Sequence, residues 1–430
     1  MKKLISIFAA FILILAGCGN GGNSNEQIEN VSDEVLTIWG FYEGAPKVAM
    51  DYYAEQTGKE VVYQTIGWDD YQTKLNTVLG TNDAPDLLML ERSFMGSYLG
   101  TENILSMEAL MADEEQFATY KENTALATMG PGTVGEEVKA IGWENTAAAY
   151  FYRTDLASQC LGINSVEEME AATKTFDGYT ELHSKLSTSS DAACKGMSMF
   201  GFPDYRDGFL TEAEAYKFQE DGSYVITKEY GEALETLKTI VDSGMVYSPD
   251  GDKTQITSAN FDNKILGNLS PAWGTQLILE YEQPGLWAVA DSPLDFTAGG
   301  TYLAATPTAD TEMVKEFLNM TFLNEEWLVN NMDTFGMVGN ETVMNQYLET
   351  TSAENPYFGG QNTVAKFAEI NDSITDYNPV SVYDAGLGTS LEEVYQGYVV
   401  DGTIKSTDDA KQQLKDKLAS LYPELEVTIE

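Results

Sequence analysis

Val35-Leu36-Thr37-Ile38-Trp39-Gly40 opens a regular alternation that decides the fold. The stretch is a short apolar strand closed by glycine. Pro46 suits the first turn of a helix running to Thr57, with Gly58 as its stop. Val61-Val62-Tyr63-Gln64-Thr65-Ile66 is a second strand. Asp69 is placed to cap a helix running toward Leu79, and Ala84-Pro85 leads into a third strand, Asp86 to Leu90. Strand, helix, strand, helix, strand at this spacing implies right-handed crossovers and a parallel sheet. Ligands bind such sheets beyond the carboxyl ends of their strands.

Those ends carry aromatic and polar side chains. Trp39, Tyr42 and Glu43 follow the first strand; Trp68, Asp69 and Asp70 the second; Glu91, Arg92 and Ser93 the third. A flat ring suits the apolar face of a pyranose, and carboxylates or a guanidinium take paired hydroxyls. Each ring also suits a core, so their shared location carries more weight than any one of them.

Upstream, Lys2 and Lys3 precede an apolar run from Leu4 to Ala16, and Leu15-Ala16-Gly17-Cys18 closes it. The run is shorter than the roughly 20 residues of a spanning helix and has the order of a secretory signal. The tetrapeptide resembles the lipobox of bacterial lipoproteins, which implies a signal peptide over 1–17 and a lipid on Cys18. Gly19 to Asn25 holds only Gly, Asn and Ser, so 18–34 reads as a flexible linker. About 400 residues remain, more than one core accommodates, so two lobes are expected.

The chain has 68 Asp and Glu against 24 Lys and Arg, a formal net charge of −44. Nucleic acid is excluded as a partner because phosphate contacts need clustered cations. Anionic lipid is repelled, so membrane contact is expected through the Cys18 lipid alone. His183 is the single histidine, which closes off His-based triads and metal sites. No metal or cofactor motif is present; Asp250-Gly251-Asp252 lacks the rest of an EF-hand and reads as a turn. Cys160 and Cys194 either form a disulfide, which an exported location permits, or remain two buried thiols.

The order Leu36-Thr37-Ile38-Trp39-Gly40, Thr57-Gly58, Tyr71-Gln72-Thr73-Lys74-Leu75 and Ala84-Pro85-Asp86-Leu87 resembles the start of family-1 extracellular solute-binding proteins of carbohydrate ABC importers. Ala140-Ile141-Gly142-Trp143 and Ala149 to Leu156 are similar to that family's passage into its second lobe. Leu269-Ser270-Pro271-Ala272-Trp273-Gly274 resembles the segment supplying a ligand-stacking Trp, and Phe296 to Ala304 the Gly-Gly strand returning to the first lobe. A helix from Met313 to Leu323, followed by Trp327, and Leu391 to Gly397 fit as well. The family's Gly-x-x-Pro turn reads Gly336-Met337-Val338-Gly339 here, without the proline.

The resemblance implies an α/β fold of two lobes, each a mostly parallel sheet flanked by helices, with a ligand cleft between them. Lobe 1 is expected over 35–143 and 297–334, and lobe 2 over 144–296 and 335–430. Further candidate contacts are Trp273; Trp143, Glu144 and Asn145 at the passage between lobes; and Gly300 and Thr301 at a strand end. Asp204, Tyr205 and Arg206 in a proline-containing loop, and Tyr383 with Asp384 near the C-terminus, complete the set. Trp287 and Trp327 read as core.

The function implied is a non-enzymatic, monomeric substrate receptor, lipid-anchored on the extracytoplasmic face of the cell membrane. It would bind a sugar or oligosaccharide by hinge closure and deliver it to ABC permease subunits. The alternatives are a receptor of the same fold for a polyamine or other cationic solute, whose pocket would pair acids with Trp rings, and a surface glycosidase or glycan-adhesion lipoprotein.

Overall fold

The computed structural model describes residues 35–430 apart from 202–204, 216–217, 220–221, 280, 295, 336, 353 and 375–379. The expected signal peptide, Cys18, the linker and Asp204 lie outside the described residues.

Strands β1 (Val35–Gly40), β2 (Glu60–Thr65), β3 (Leu87–Glu91), the hairpin β4 (Thr133–Val134) and β5 (Glu137–Val138), and β6 (Ile141–Gly142) come first. Next are β7 (Ala148–Arg153), β8 (Ser198–Phe200), β9 (Tyr224–Ile226), β10 (Ile265–Pro271), β11 (Trp287–Ala290), β12 (Thr301–Ala305) and β13 (Val427–Ile429). One sheet has the order β2-β1-β3-β12-β6 and a second β11-β7-β10-β8, with β13-β9 and β4-β5 as small ribbons.

β1 pairs with β2 and β3 in parallel, as the strand–helix alternation predicts. β12 runs antiparallel to β3. In the second sheet β8, β10 and β11 share a direction and β7 runs against its two neighbours. Each sheet therefore has a single reversed strand.

The helix expected from Pro46 spans Gly44–Thr57, and Gly58 stops it at φ 69°, where a β-carbon is strained. The next helix is Trp68–Val78, with Gly67 rather than Asp69 at the cap. Asp69 sits inside the first turn instead, near the positive end of the helix dipole. The later helix is Thr311–Met320, two residues ahead of its expected start, because Asp310 accepts hydrogen bonds from the Glu312 and Met313 amides.

Burial follows the pleat on both faces of both sheets. In β3, Leu87 and Met89 join one core with Leu36 and Ile38, while Leu88 and Leu90 join another with Phe94 and Tyr302. In β7, Ala148, Tyr150 and Tyr152 face one core, and Ala149 and Phe151 face the other beside Trp287. Sheets covered on both faces need continuous apolar strands, which is how these stretches read. Trp287 and Trp327 are both core residues. Beyond residue 334, Phe335, Val338, Val343, Met344 and Tyr347 pack into the first sheet's core, whereas Phe358, Phe367, Leu387 and Leu391 pack with the second. Cys160 and Cys194 are joined by a disulfide, with Cα atoms 5.4 Å apart.

Candidate functional site

The chain passes between the sheets in adjacent segments. Asn145 donates its amide to Met337 O at 2.9 Å, and Gly339 donates to Trp143 O at 2.8 Å. Ala147 forms an isolated bridge with Thr297. Around these crossings, at the carboxyl ends of β1, β3 and β10, opens a cleft of about 830 Å³. Its walls include Tyr42 after β1, Glu91 at the end of β3, Ala272 and Trp273 after β10, and Gly299 to Thr301 leading into β12. Met332, Phe335 and Tyr347 contribute an apolar wall, and polar groups such as Gln276 and Asn355 line the cleft as well.

Trp273 is the prominent ring. Its side chain is 37% exposed, and its indole N–H donates to Ala298 O at 2.9 Å, which fixes the plane of the ring. Gly299 runs directly beneath it: a β-carbon there would sit 3.1 Å from Trp273 Nε1, and φ of 71° already disfavours one. The close approach of backbone to indole thus depends on this glycine.

Glu144 ties three walls together. Its Oε1 accepts from the Tyr42 hydroxyl at 3.1 Å and its Oε2 from the Thr301 amide at 2.9 Å. Burial raises its carboxyl above the ordinary range, partly offset by those hydrogen bonds, while the charge of Glu91 adds to the rise. Glu91 is raised by burial too, against hydrogen bonds from Ser93 that lower it. Burial and the Glu144 charge hold the Tyr42 phenol well above its ordinary value, so it is a hydrogen-bond donor at neutral pH.

A smaller cavity of about 160 Å³ adjoins the cleft, sharing Glu91 and Gly299, and contains Arg92, Asp207, Thr297 and Asp384. Arg92 donates to Thr297 Oγ1 at 2.7 Å. Asp384 is raised by burial to about 6, partly offset by the Ser381 amide and Arg92.

Of the residues singled out in the sequence, Tyr42, Glu91, Glu144, Asn145, Trp273, Gly300 and Thr301 come together in the cleft. Arg92 and Asp384 meet in the adjoining cavity. Asn145 is nearly fully buried and braces the crossing, donating to Phe367 O at 3.2 Å and accepting from the Ala147 amide.

The rest lie elsewhere. Trp143 is buried against Phe322 and Phe335, since neighbours on an extended crossing face opposite ways and Glu144 takes the cleft side. Trp39 packs at the edge of the core around Tyr71. Trp68 is half exposed but leans on Phe41 and Phe94, and Glu43 and Asp69 are exposed. Tyr205 is fully buried, stacked on Phe200 and bonded to the Tyr395 hydroxyl. Arg206 is engaged by Asp207, Glu392 and the Tyr395 ring. Tyr383 packs against Phe218 and Tyr422.

The bacterial extracellular solute-binding protein family matches residues 48–338. The chain belongs to this family. No curated protein sequence matches it. Solved structures similar to this solute-binding protein include an ABC-transporter-associated binding protein of B. animalis subsp. lactis Bl-04 in complex with β-1,6-galactobiose. It is 16% identical over 92% of this chain and 99% of that one, with a TM-score of 0.70. The galacto-N-biose-/lacto-N-biose I-binding protein of Bifidobacterium longum, in complex with lacto-N-biose, is 18% identical over 92% and 99%, with a TM-score of 0.69. The sugar-binding protein MalE of Xanthomonas citri is 16% identical over 90% and 97%, with a TM-score of 0.66. At these identities the likeness establishes the two-lobed fold.

Sequence reasoning did not find the apolar wall of this solute-binding protein's cleft. Tyr347 lies four residues after Val343 on the helix Glu341–Thr350, a spacing that reads as core, and it belongs to that core as well as to the cleft. Met332 and Phe335 behave alike. Among the described residues no group of three or more His, Cys, Asp or Glu is placed to hold a metal ion, and no helix is long and apolar enough to cross a membrane.

Proposed function

We propose that the protein is the substrate receptor of an ABC importer, tethered through lipid on Cys18 to the extracytoplasmic face of the membrane and binding a sugar or short oligosaccharide. The observation that carries this reading is the Trp273 indole, fixed at its N–H, part exposed, and set in a cleft of about 830 Å³ beside hydrogen-bonding groups of Glu91 and Asn355. A fixed aromatic plane beside convergent polar groups matches a pyranose, which offers an apolar face and a rim of hydroxyls. Relatives of the same fold solved with disaccharides support the same class of ligand.

The receptor acts as a monomer by hinge closure. Its lobes are centred on the two large sheets and turn about the crossings at 143–147 and 297–299 and a third passage after residue 350. We put that third passage, expected at 334, between the helix Glu341–Thr350 and the helix Thr363–Ser373; the packing of Val343, Met344 and Tyr347 with the first sheet and of Phe367 with the second supports this. Binding needs no covalent step.

The test is a thermal-shift and calorimetric screen of neutral disaccharides, including β-1,6-galactobiose, lacto-N-biose and maltose, with chromatography of the recovered sugar. Stabilisation by an intact saccharide is expected. Stabilisation by none, or release of shorter sugars, refutes the reading. For the tether, Cys18→Ser should move the protein from the membrane pellet to the soluble fraction.

A further inference from the structure

The cleft carries an unbalanced set of charges. Glu91, Glu144 and Glu354 line it, and no Lys, Arg or His among the described residues does. Glu91 and Glu144 stand on either side of one segment: Glu91 is the cross-strand partner of Thr301, whose amide binds Glu144 Oε2. Each Glu144 oxygen already holds one donor. Glu91 holds the amide and hydroxyl of Ser93 on Oε2, and the Arg92 backbone amide also hydrogen-bonds its carboxylate. Glu91 Oε1 lies 3.7 Å from where a β-carbon at Gly299 would stand, on the same backbone turn that underlies Trp273. Arg92, whose charge lowers the proton affinity of Glu91, donates to Thr297 and lines the adjoining cavity rather than the cleft.

Two part-buried carboxyls within electrostatic reach of each other, with the Arg92 charge acting on Glu91 and no cation in the cleft wall, leave an excess of negative charge. Burial raises the proton affinity of both, and Glu91 adds to the rise at Glu144. A neutral saccharide accepts or donates hydrogen bonds there but leaves the charge standing. A protonated amine donates up to three N–H bonds and cancels it. Tyr42, Trp273 and Tyr347 also line the cleft, and an aromatic ring attracts a cation to its face.

We infer that the saccharide taken by this cleft bears a basic nitrogen, as an amino sugar does, with its ammonium group seated at Glu91 and Glu144 beside Trp273. The inference rests on the saccharide-receptor reading and narrows it to one chemical class.

Calorimetry on the full chain at pH 7 would compare a β-1,4-linked glucosamine disaccharide, its N-acetylated counterpart, neutral β-1,6-galactobiose and spermidine. The free amine should bind on the order of tenfold or more tightly than the acetylated sugar, the usual scale of one charged hydrogen bond. Glu91→Gln should shrink that margin toward unity, and Glu354→Gln, at an exposed position, should shrink it less. Should Glu91→Gln fail to fold, the comparison of the two disaccharides on the unaltered protein decides alone. Equal or tighter binding of the acetylated or neutral sugar overturns the inference and leaves the saccharide receptor standing. Binding of spermidine with no saccharide overturns both.

Discussion

Removing the indole of Trp273 separates a binding platform from a core residue. The side chain is 37% exposed, in contrast to the buried Trp143 and Trp287. A Trp side chain presents on the order of 250 Å², so roughly 90 Å² is free for a ligand to cover. At about 25 cal/mol per Å² this is worth about 2 kcal/mol, or about thirtyfold in Kd. Trp273→Ala should therefore raise Kd by about that factor for any saccharide that binds. The buried remainder, roughly 160 Å², is worth about 4 kcal/mol by the same measure, so the melting temperature should fall as well and the titration is made well below the variant's own transition. Isothermal titration gives the affinity and a melting curve gives the fold. Trp68→Ala is the matched control: its ring is more exposed still, at 50%, yet leans on Phe41 and Phe94 outside the cleft walls. It should leave Kd unchanged. A Trp273→Ala protein binding within threefold of the parent, or Trp68→Ala losing as much, would refute the placement of the site.

Three other outcomes follow from particular contacts. Gly96→Ala should lower stability by about 1–3 kcal/mol, because its β-carbon would stand 2.1 Å from the carbonyl oxygen of Ser381, and backbone cannot swing aside; an unchanged melting temperature counts against that packing. Asp384 is raised from 3.8 to about 6, so its contribution to stability is complete below about pH 4 and is lost as pH rises through about 6. Asp384→Asn should flatten the melting temperature across that window, and an identical slope in the variant excludes Asp384 as its source. Reduction of Cys160–Cys194, which closes a loop of 34 residues, should cost up to about 4 kcal/mol on chain-entropy grounds. A melt with and without reductant checks it, and equal transitions in the reduced, alkylated protein go against it.

The first sheet was legible because its signals are local. Val35–Gly40 and Leu87–Glu91 are apolar runs bounded by glycine or proline, and the helix before Gly58 needs a left-handed residue to stop. Right-handed crossovers then leave few ways to connect them. The antiparallel entry of β12 was less accessible, since Thr301–Ala305 pairs with β3 across more than two hundred residues of chain and no local feature records the direction.

The cleft was only half legible, for a reason visible at residues 143–145. Three consecutive polar or aromatic side chains mark the passage between lobes, but only Glu144 offers its side chain to the cleft with both oxygens engaged there. Trp143 turns into the core and Asn145 braces Phe367. Composition points to the passage; the pleat decides which residue faces the cleft, and the pleat's phase depends on Met337 and Gly339 pairing alongside. The apolar wall was hidden by the opposite effect. Met332, Phe335 and Tyr347 belong to the core of the first sheet and to the cleft at once, so the helical spacing that reads as core is correct and yet incomplete. Where a binding surface is the open edge of a hydrophobic core, the two roles share residues. The distinguishing feature is then the part of each ring that remains uncovered, a quantity set by the packing of both lobes.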